Sequence, residues 1–364
     1  MSTVKPLISY TALSAPASLR PAAGTEAFLR PDIGFSPNWF SEVCGVSFGR
    51  KWHFEPEYRR ETIAVMAASL RKRFPASQQF GGSKDFGNPP DLLSGTFGNM
   101  MVPSLFGVPI TWPENDWPRI QTSQFLNDQQ ARRLEPPDLD NNPFWNEFLE
   151  QLDWIARESG AIEGYLNWQG VLANANHLRG FQIFADIKQN PDLARHVFAC
   201  VTAATLDAVN RLYSRQKSSS PDFFAVSNQQ LNIVAPEDYN ECLFPYDSQL
   251  AGAFSTTGIQ NGVWKADSFL EYYSQWPNVG YVDVGIHTNL QITRITFPKA
   301  RRGVVYSTLD LENKTYLELT MDFERIAREC GPCDVVCSGL DPGLPDSRIN
   351  EVYEICEQIS ARYG

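Results

Sequence analysis

The chain has 364 residues, of which 43% are hydrophobic, 12% aromatic and 20% charged; this composition supports a large folded unit and excludes general disorder. Its net charge of −11 repels a phosphate backbone, which argues against a general nucleic-acid-binding protein. No apolar run of about 18 residues occurs, so we expect no membrane span.

The amino-terminal stretch is rich in Ala, Ser and Pro and lacks the basic and apolar regions of a secretory signal. We expect a loosely ordered arm over residues 1–32, able to pack on a partner subunit, and one domain over residues 33–364. Seven cysteines at irregular spacing are typical of reduced thiols in a chain of this length, which predicts a cytoplasmic protein.

The first half of the chain shows long helical patterns and weaker strand patterns. A stretch rich in Pro, Asn and Asp over residues 112–143 predicts a surface insertion. The predicted helices span residues 57–74, 146–159 and 191–216, and the strand-like segments span residues 91–103 and 162–168.

The second half alternates regularly between short apolar runs and helical patterns. Such alternation predicts a parallel sheet with helices on its faces. No GxGxxG and no GxxxxGK[ST] is present, which favours a closed (β/α)8 TIM barrel over an open nucleotide-binding sheet. The predicted strands span residues 223–226, 258–262, 280–284, 303–307 and 334–337, and the predicted helices span residues 236–254, 266–275, 289–297, 316–330 and 347–362.

The carboxyl ends of barrel strands form the active site in enzymes of this fold. The residues predicted at those ends are mostly amides, hydroxyls and aromatic rings, which suit a polar or aromatic ligand held by hydrogen bonds. The alternative is that the amides cap the helices that follow. The set comprises Asn99, Tyr165, Asn167, Trp168, Gln169, Ser227, Asn228, Gln229, Gln260, Asn261, Asp283, His287, Ser307 and Cys337.

His287 is the one histidine of four that follows a predicted strand directly. It is the candidate general acid or base near neutral pH, with Asp283 able to set its tautomer. The alternative is a half-buried loop residue without a catalytic role. Asn99 completes the candidate catalytic set. The predicted substrate-binding residues are Tyr165, Trp168, Gln169, Asn228, Gln260, Asn261, Arg50 and Cys337.

The basic and aromatic segment 50–60, which begins at Arg50, could clamp the carboxylates of a ligand. Acidic residues within and after the segment balance its charge, so a surface capping segment is an equal alternative.

The cysteines do not form a convincing redox or metal motif. Cys330 and Cys333 have CxxC spacing, but Cys330 ends a predicted helix, whereas a redox cysteine needs a helix amino terminus. A zinc site requires three or four ligands, and the predicted mouth offers His287 and Cys337. We therefore expect no metal site. Cys337 remains a candidate substrate-binding residue, because it lies at the end of the last predicted strand.

Several short segments, in their order and spacing, together form a recognisable pattern. They include Phe97-Gly98-Asn99, Gly164-Tyr165-Leu166-Asn167-Trp168-Gln169-Gly170, Gly258-Ile259-Gln260-Asn261-Gly262 and Leu340-Asp341-Pro342-Gly343. This pattern resembles the uroporphyrinogen decarboxylase superfamily, and in particular its uncharacterised and cobalamin-linked methyltransferase-like members. The likeness runs from about residue 33 to the carboxyl terminus, and it implies a (β/α)8 barrel with the ligand at its mouth, often as a dimer.

Three departures from the family pattern matter for function. The arginine-rich motif of true decarboxylases is missing, and Asn99 stands where they carry an aspartate that holds pyrrole nitrogens. Gln260 and Gly262 stand where the zinc-dependent methyltransferases carry His and Cys, while Cys337 matches their later Cys. These departures therefore argue against porphyrinogen decarboxylation and against zinc–thiolate activation.

We expect an enzyme that transfers a methyl group to or from a small aromatic or polar substrate at the barrel mouth. No cofactor is expected to bind tightly, and the resemblance implies a corrinoid presented by a partner protein. We also expect a homodimer, and we expect neither a nucleic-acid nor a membrane partner. The alternatives are a lyase of the decarboxylase type and a non-catalytic barrel that binds a ligand or a partner.

Overall fold

The structure is a computed structural model that describes residues 26–75, 77, 90–121, 124–216 and 222–363. Most of the arm predicted over residues 1–32 therefore lies outside the described residues. The first strand begins at Leu29, within the segment that the sequence assigned to the arm.

In the ranges that the structure describes, six strands form the main sheet and two form a small hairpin. They are β1 Leu29–Phe35, β2 Ile110–Thr111, β3 Arg119–Ile120, β4 Phe223–Ser227, β5 Thr256–Gln260, β6 Val279–Gly285, β7 Arg301–Val305 and β8 Cys333–Leu340.

The helices surround the sheet, and the longest ones follow the pattern of the sequence closely. They are α1 Pro37–Cys44, α2 Arg50–Phe54, α3 Pro56–Arg73, α4 Met101–Leu105, α5 Asp128–Arg132, α6 Pro143–Ser159, α7 Val171–Arg179, α8 Gln182–Gln189, α9 Pro191–Gln216, α10 Pro236–Asp238, α11 Phe244–Gly252, α12 Leu270–Tyr273, α13 Leu290–Thr296, α14 Thr308–Asn313, α15 Tyr316–Cys330 and α16 Asp346–Tyr363.

The main sheet is parallel, with the strand order β1-β8-β7-β6-β5-β4. The first strand therefore pairs with the last, as it does when a barrel closes. In an eight-stranded barrel, two further strands, at the second and third positions, would lie between β1 and β4. At that place the described residues form a parallel bridge between Asp91 and Glu163. Tyr165 connects the third position to β4, because its hydroxyl accepts a hydrogen bond from the backbone N–H of Ala225 at 3.0 Å. The predicted α/β barrel fold is confirmed, with two of its strands much shortened.

The predicted insertion at 112–143 overlaps the β2–β3 hairpin, whose register pairs Ile110 with Ile120. It also contains α5, which begins with a capping box formed by Asn127 and Gln130. The insertion is thus built from short, locally stabilised pieces.

Side chains alternate along each strand between the barrel interior and the helix layer. Tyr281, Val305 and Val336 form a separate apolar cluster inside the barrel. Their sequence neighbours Val282, Val304 and Val335 belong to the large core that also contains the helices. This alternation fixes which polar side chains point inward. Across the described ranges, no helix has the length and apolar character needed to cross a lipid bilayer.

Candidate functional site

One row of inward-facing residues crosses four neighbouring strands near their carboxyl ends. The strand register pairs Ser227 with Gln260, Gln260 with Asp283, and Asp283 with Gly303. Paired residues of parallel strands project to the same side of the sheet. A hydroxyl, an amide and a carboxyl group therefore lie side by side, followed by a position without a side chain.

The glycine of this row leaves space that a phenol occupies. A Cβ atom at Gly303 would overlap the hydroxyl oxygen of Tyr281 and would lie 3.2 Å from Cβ of Asp283. The Tyr281 ring therefore crosses over Gly303 and brings its hydroxyl beside Asp283. Burial raises the pKa of this phenol well above its ordinary value, and the charges of Asp334, Asp283 and Asp32 raise it further. The hydroxyl thus stays protonated.

Three buried polar side chains in this part of the barrel have atoms without a hydrogen-bond partner among the described residues. These atoms are Oγ of Ser227, Oε1 of Gln260 and the hydroxyl of Tyr281. The exposed fractions of the three residues are 1%, 9% and 0%. Leaving a buried polar atom unpaired costs about 1–3 kcal/mol, so three in one place indicate a site that a ligand completes.

Asp283 is the ionisable group of the site. Its Oδ1 accepts hydrogen bonds from the backbone N–H groups of Asn261 at 2.7 Å and Gly262 at 2.9 Å. Burial raises the pKa of the Asp283 carboxyl to about 7, the two N–H groups oppose the shift, and Asp32 adds to it. A buried carboxyl that titrates near neutral pH is suited to general acid or base catalysis.

The register row continues past Gly303 to Asp334 and Arg30. Arg30 donates to both oxygens of Asp334 at 2.8 and 2.7 Å. Arg301 donates to Oδ1 of the same carboxylate at 2.9 and 2.6 Å. Both guanidinium groups are therefore engaged by Asp334, and the charge of Arg30 also acts on Asp32.

A buried hydrogen-bond network supports the site from behind. Asn228 donates through Nδ2 to Oδ2 of Asp247 at 3.2 Å and to the hydroxyl of Tyr273 at 3.4 Å. Tyr273 donates in turn to Oδ1 of Asn261 at 2.8 Å, and Nδ2 of Asn261 donates to the Asp283 carbonyl at 2.7 Å. The network fixes the loop whose N–H groups hold the Asp283 carboxyl.

Two loops at the mouth have strained backbones. Phe97 and Gln169 adopt φ values of 62° and 61°, a conformation that non-glycine residues rarely take. Gln169 donates through Nε2 to Oδ1 of Asn167 at 2.8 Å. The next residue is glycine because a Cβ at Gly170 would overlap the carbonyl oxygen of Ser227. These loops pack tightly against the strand that carries Ser227.

The structure brings several of the predicted site residues together. Gln260, Asn261 and Asp283 lie in or beside the polar row, and Asn228 joins the supporting network. Trp168 is fully buried, and within the described residues its Nε1 has no hydrogen-bond partner. Tyr165 is bound to β4 by its hydroxyl, so it serves the barrel wall and does not offer a free stacking surface.

His287 lies apart from this row. Its side chain is exposed and lines a polar surface pocket with Lys265, Arg325 and Glu329. Oδ1 of Asp283, which was predicted to set the tautomer of His287, instead accepts the two loop N–H groups. Within the described chain, no hydrogen bond joins Asp283 to His287. Of these two residues, only Asp283 lies in the polar row.

Three other predicted residues also lie outside the polar row. Cys337 follows the inward-facing Val336 and therefore faces the helix layer, where it is fully buried in the large core. Arg50 is exposed on α2, where it pairs with Glu147 at 2.8 Å and stacks on Phe54 at 3.9 Å. Asn99 is partly buried in the strained loop that follows Phe97.

The donor set of the mouth does not suit zinc. Among the described residues, no group of three His, Cys, Asp or Glu side chains has the geometry to hold a metal ion. In the resemblance described above, Gln260 and Gly262 take the places of a His-x-Cys pair, and the structure places Cys337 in the large core. The polar row, as far as the described residues form it, therefore offers no thiolate to a zinc ion.

Sequence analysis missed four residues that the fold makes important: Tyr281, Asp32, Asp247 and Tyr273. A signal for Tyr281 was present, because it precedes Asp283 by two residues and so shares its face of the strand. Asp247 and Tyr273 act through contacts between distant elements, which no local pattern in the sequence predicts.

Comparisons with known proteins agree with this architecture. No protein-family model matches the chain, and no curated protein matches it. A methyltransferase from Methanosarcina mazei superposes with a TM-score of 0.60 at 13% identity, over 96% of this chain and 99% of the other. A B12-independent methionine synthase from Shewanella sp. W3-18-1, in complex with selenomethionine, gives a TM-score of 0.46 at 12% identity over 88% and 97%. The chain thus has the fold of the methanogen methyltransferase over nearly its whole length, the fold that the resemblance to the uroporphyrinogen decarboxylase superfamily implied.

Proposed function

We propose that the protein is an enzyme that transfers a methyl group to a small polar substrate at the carboxyl end of its barrel. The observation that carries this proposal is Asp283, a buried carboxyl with a pKa raised to about 7 beside unpartnered polar atoms of Ser227, Gln260 and Tyr281. The fold shared with a methyltransferase supports the choice of reaction.

Asp283 acts as the base in the proposed reaction. The nucleophilic atom of the substrate loses its proton to the Asp283 carboxylate as it forms a bond to the methyl carbon. The bond between that carbon and the methyl donor breaks, and its electron pair remains on the donor. The two N–H groups on Oδ1 hold the carboxylate in place, and Tyr281 donates its hydroxyl proton to an acceptor atom of the substrate.

The methyl donor would come from outside the chain. The residues around Asp283 are closely packed, with Gln260 9% and Asp283 2% exposed, so they fit a small substrate and not a tetrapyrrole. We propose that a partner protein presents a corrinoid, which supplies the methyl group, at the barrel mouth. We also propose a homodimer, which measurement of the molar mass in solution tests.

The test is a transfer assay with the purified full chain, ¹³C-methylcobalamin as methyl donor, and panels of small alcohols, phenols, thiols and amides as acceptors. New ¹³C-methyl signals in the NMR spectrum measure turnover. We expect Asp283→Asn to lose about 10²–10⁴-fold of the rate and Cys337→Ala to retain it. Binding of an acceptor without transfer would favour a non-catalytic barrel, and an unchanged rate in Asp283→Asn would refute the proposed base.

A further inference from the structure

The polar row restricts the charge and the hydrogen-bonding groups of the molecule that binds there. We infer that this molecule is a small uncharged compound that carries both a hydrogen-bond donor and an acceptor, as amides and alcohols do, and that it is not a carboxylate, sulfonate or phosphate. The inference rests on the proposed function only in placing the substrate at this site.

The hydrogen-bonding atoms of the site require an acceptor on the ligand. The Tyr281 hydroxyl is a protonated donor without a partner in the described residues. Oε1 of Gln260 and Oγ of Ser227 are also unpartnered there, and they face the same interior because Ser227, Gln260 and Asp283 lie in register. The ionised Asp283 can only accept, so the ligand must also donate.

The charges inside the barrel oppose an anion. Asp283 and Asp32 raise the pKa of Tyr281, Arg30 lowers it, and Asp32 also raises the pKa of Asp283, so these charges act on the same small volume. The guanidinium groups of Arg30 and Arg301 are both bound to Asp334. When Asp283 is ionised, the three carboxylates of Asp32, Asp283 and Asp334 outnumber the two guanidinium groups, so an anionic ligand would lose its hydration next to an excess of like charge.

A cationic ligand of this size lacks a hydrogen-bond acceptor. An amidinium or ammonium group would bind Asp283, but it carries no acceptor for the Tyr281 hydroxyl. The hydroxyl would then remain buried and unpaired. Sites that hydrogen-bond a substrate group discriminate strongly against analogues that lack this group, because the unpaired partner keeps its full desolvation cost.

The burial of the row residues favours a ligand of only a few heavy atoms. Gly303 is the position of the row without a side chain, and the Tyr281 hydroxyl already occupies the volume that a Cβ there would take. Asp283, Ser227 and Tyr281 are each at most 2% exposed. A flat molecule the size of acetamide is therefore a suitable probe.

The experiment compares acetamide, acetate and acetamidinium, which have nearly the same shape but differ in charge and hydrogen-bonding groups. Each is titrated into the full-length protein at pH 8, where Asp283 is mostly ionised, and binding is followed by NMR. We expect acetamide to bind at least about tenfold more tightly than either ion. Equal or tighter binding of acetate or acetamidinium would overturn the inference, as would the failure of acetamide to bind.

Variants locate the binding in the polar row. Tyr281→Phe and Ser227→Ala each remove one unpartnered hydroxyl and little else, so both proteins should fold and bind acetamide at least about tenfold more weakly. Tyr272→Phe is the matched control: Tyr272 contacts the rings of Tyr239 and Phe244 in edge-on and tilted geometries, and within the described residues its hydroxyl forms no hydrogen bond. Unchanged acetamide binding in both row variants would contradict the assignment.

The unliganded stability of Tyr281→Phe gives a readout that does not depend on any ligand. Because the wild-type hydroxyl is buried and unpaired, its removal should leave the free energy of unfolding unchanged or raise it. A loss of stability would mean that the hydroxyl has a partner within the protein. Binding is measured without turnover, so absence of methyl transfer would leave this inference standing and would refute the proposed function alone.

Discussion

The hydroxyl of Tyr273 donates a 2.8 Å hydrogen bond to Oδ1 of Asn261, and both side chains are fully buried. Asn261 in turn holds Asp283 through its backbone N–H and its side-chain amide. A helix outside the barrel is thereby connected to the carboxyl group inside it. The loop after β5 is positioned by this bond and by the two N–H groups it presents to Asp283.

Tyr273→Phe should therefore destabilise the protein. The change removes the donor to Oδ1 of Asn261 and leaves that buried oxygen unpaired, and it removes one of the two acceptors of Asn228, which keeps its bond to Asp247. The expected loss in the free energy of unfolding is about 1–3 kcal/mol, measured by urea denaturation. The neighbouring Tyr272→Phe is the control and should change the stability little. Equal effects of the two substitutions would show that the Tyr273 hydroxyl does not support the loop.

Asp247 should make stability depend on pH in a defined direction. Burial raises the pKa of its carboxyl from 3.8 to about 7, so between these values the folded state binds a proton that the unfolded state does not. The stabilisation from Asp247 is therefore full below about pH 4 and falls as the pH rises through about 7, by at most about 1.4 kcal/mol per pH unit.

Asp247→Asn isolates this contribution, because an asparagine oxygen can still accept from Asn228 and Tyr239. His177, whose pKa is lowered by burial to about 4, has the opposite pH dependence but is present in both proteins. The stability difference, wild type minus variant, should thus fall from pH 4 to pH 7 in urea denaturation. A difference that does not vary with pH would contradict the raised pKa of Asp247.

The sequence predicted the carboxyl-terminal half of the barrel well, because turn residues there separate clear strand and helix patterns. It was less successful for the second and third strands. Asp91 accepts hydrogen bonds from the backbone N–H groups of Leu93 and Ser94 at 3.0 and 2.9 Å. This local turn competes with strand pairing, so a bridge between Asp91 and Glu163 is found where the sequence predicted two strand-like segments.

The direction in which side chains point was harder to predict than the strands themselves. Val335, Val336 and Cys337 are all apolar, so the sequence does not show which of them faces inward. The strand register resolves this by pairing Asp32 with Val336 and Ile33 with Cys337. Cys337 consequently lies in the helix-facing core, and the strand continues to Leu340, three residues beyond its predicted end. Distinguishing the two faces of a fully buried strand requires its partners.

Cys337 should therefore affect stability and not ligand binding. Cys337→Ser places a hydroxyl in an apolar environment, and we expect a loss of about 1–3 kcal/mol in the free energy of unfolding. Acetamide affinity measured by NMR should stay within about twofold of wild type, since the thiol is outside the polar row. A large loss of affinity in a stably folded Cys337→Ser protein would place the thiol in the site after all.

The pH dependence of turnover distinguishes Asp283 from His287 as the proton carrier. If Asp283 is the base, kcat/KM should rise with pH through an apparent pKa of about 7, because only the carboxylate can accept a proton. A histidine base would give a rise in the same range, so the profile must be combined with variants.

His287→Ala should keep both the rate and the profile, because this side chain is exposed at the outer pocket. Asp283→Asn should lose the pH dependence together with most of the rate, while its amide oxygen still accepts from Asn261 and Gly262 and preserves the loop. The reverse result, an inactive His287→Ala and an active Asp283→Asn, would move the chemistry from the barrel interior to the surface pocket.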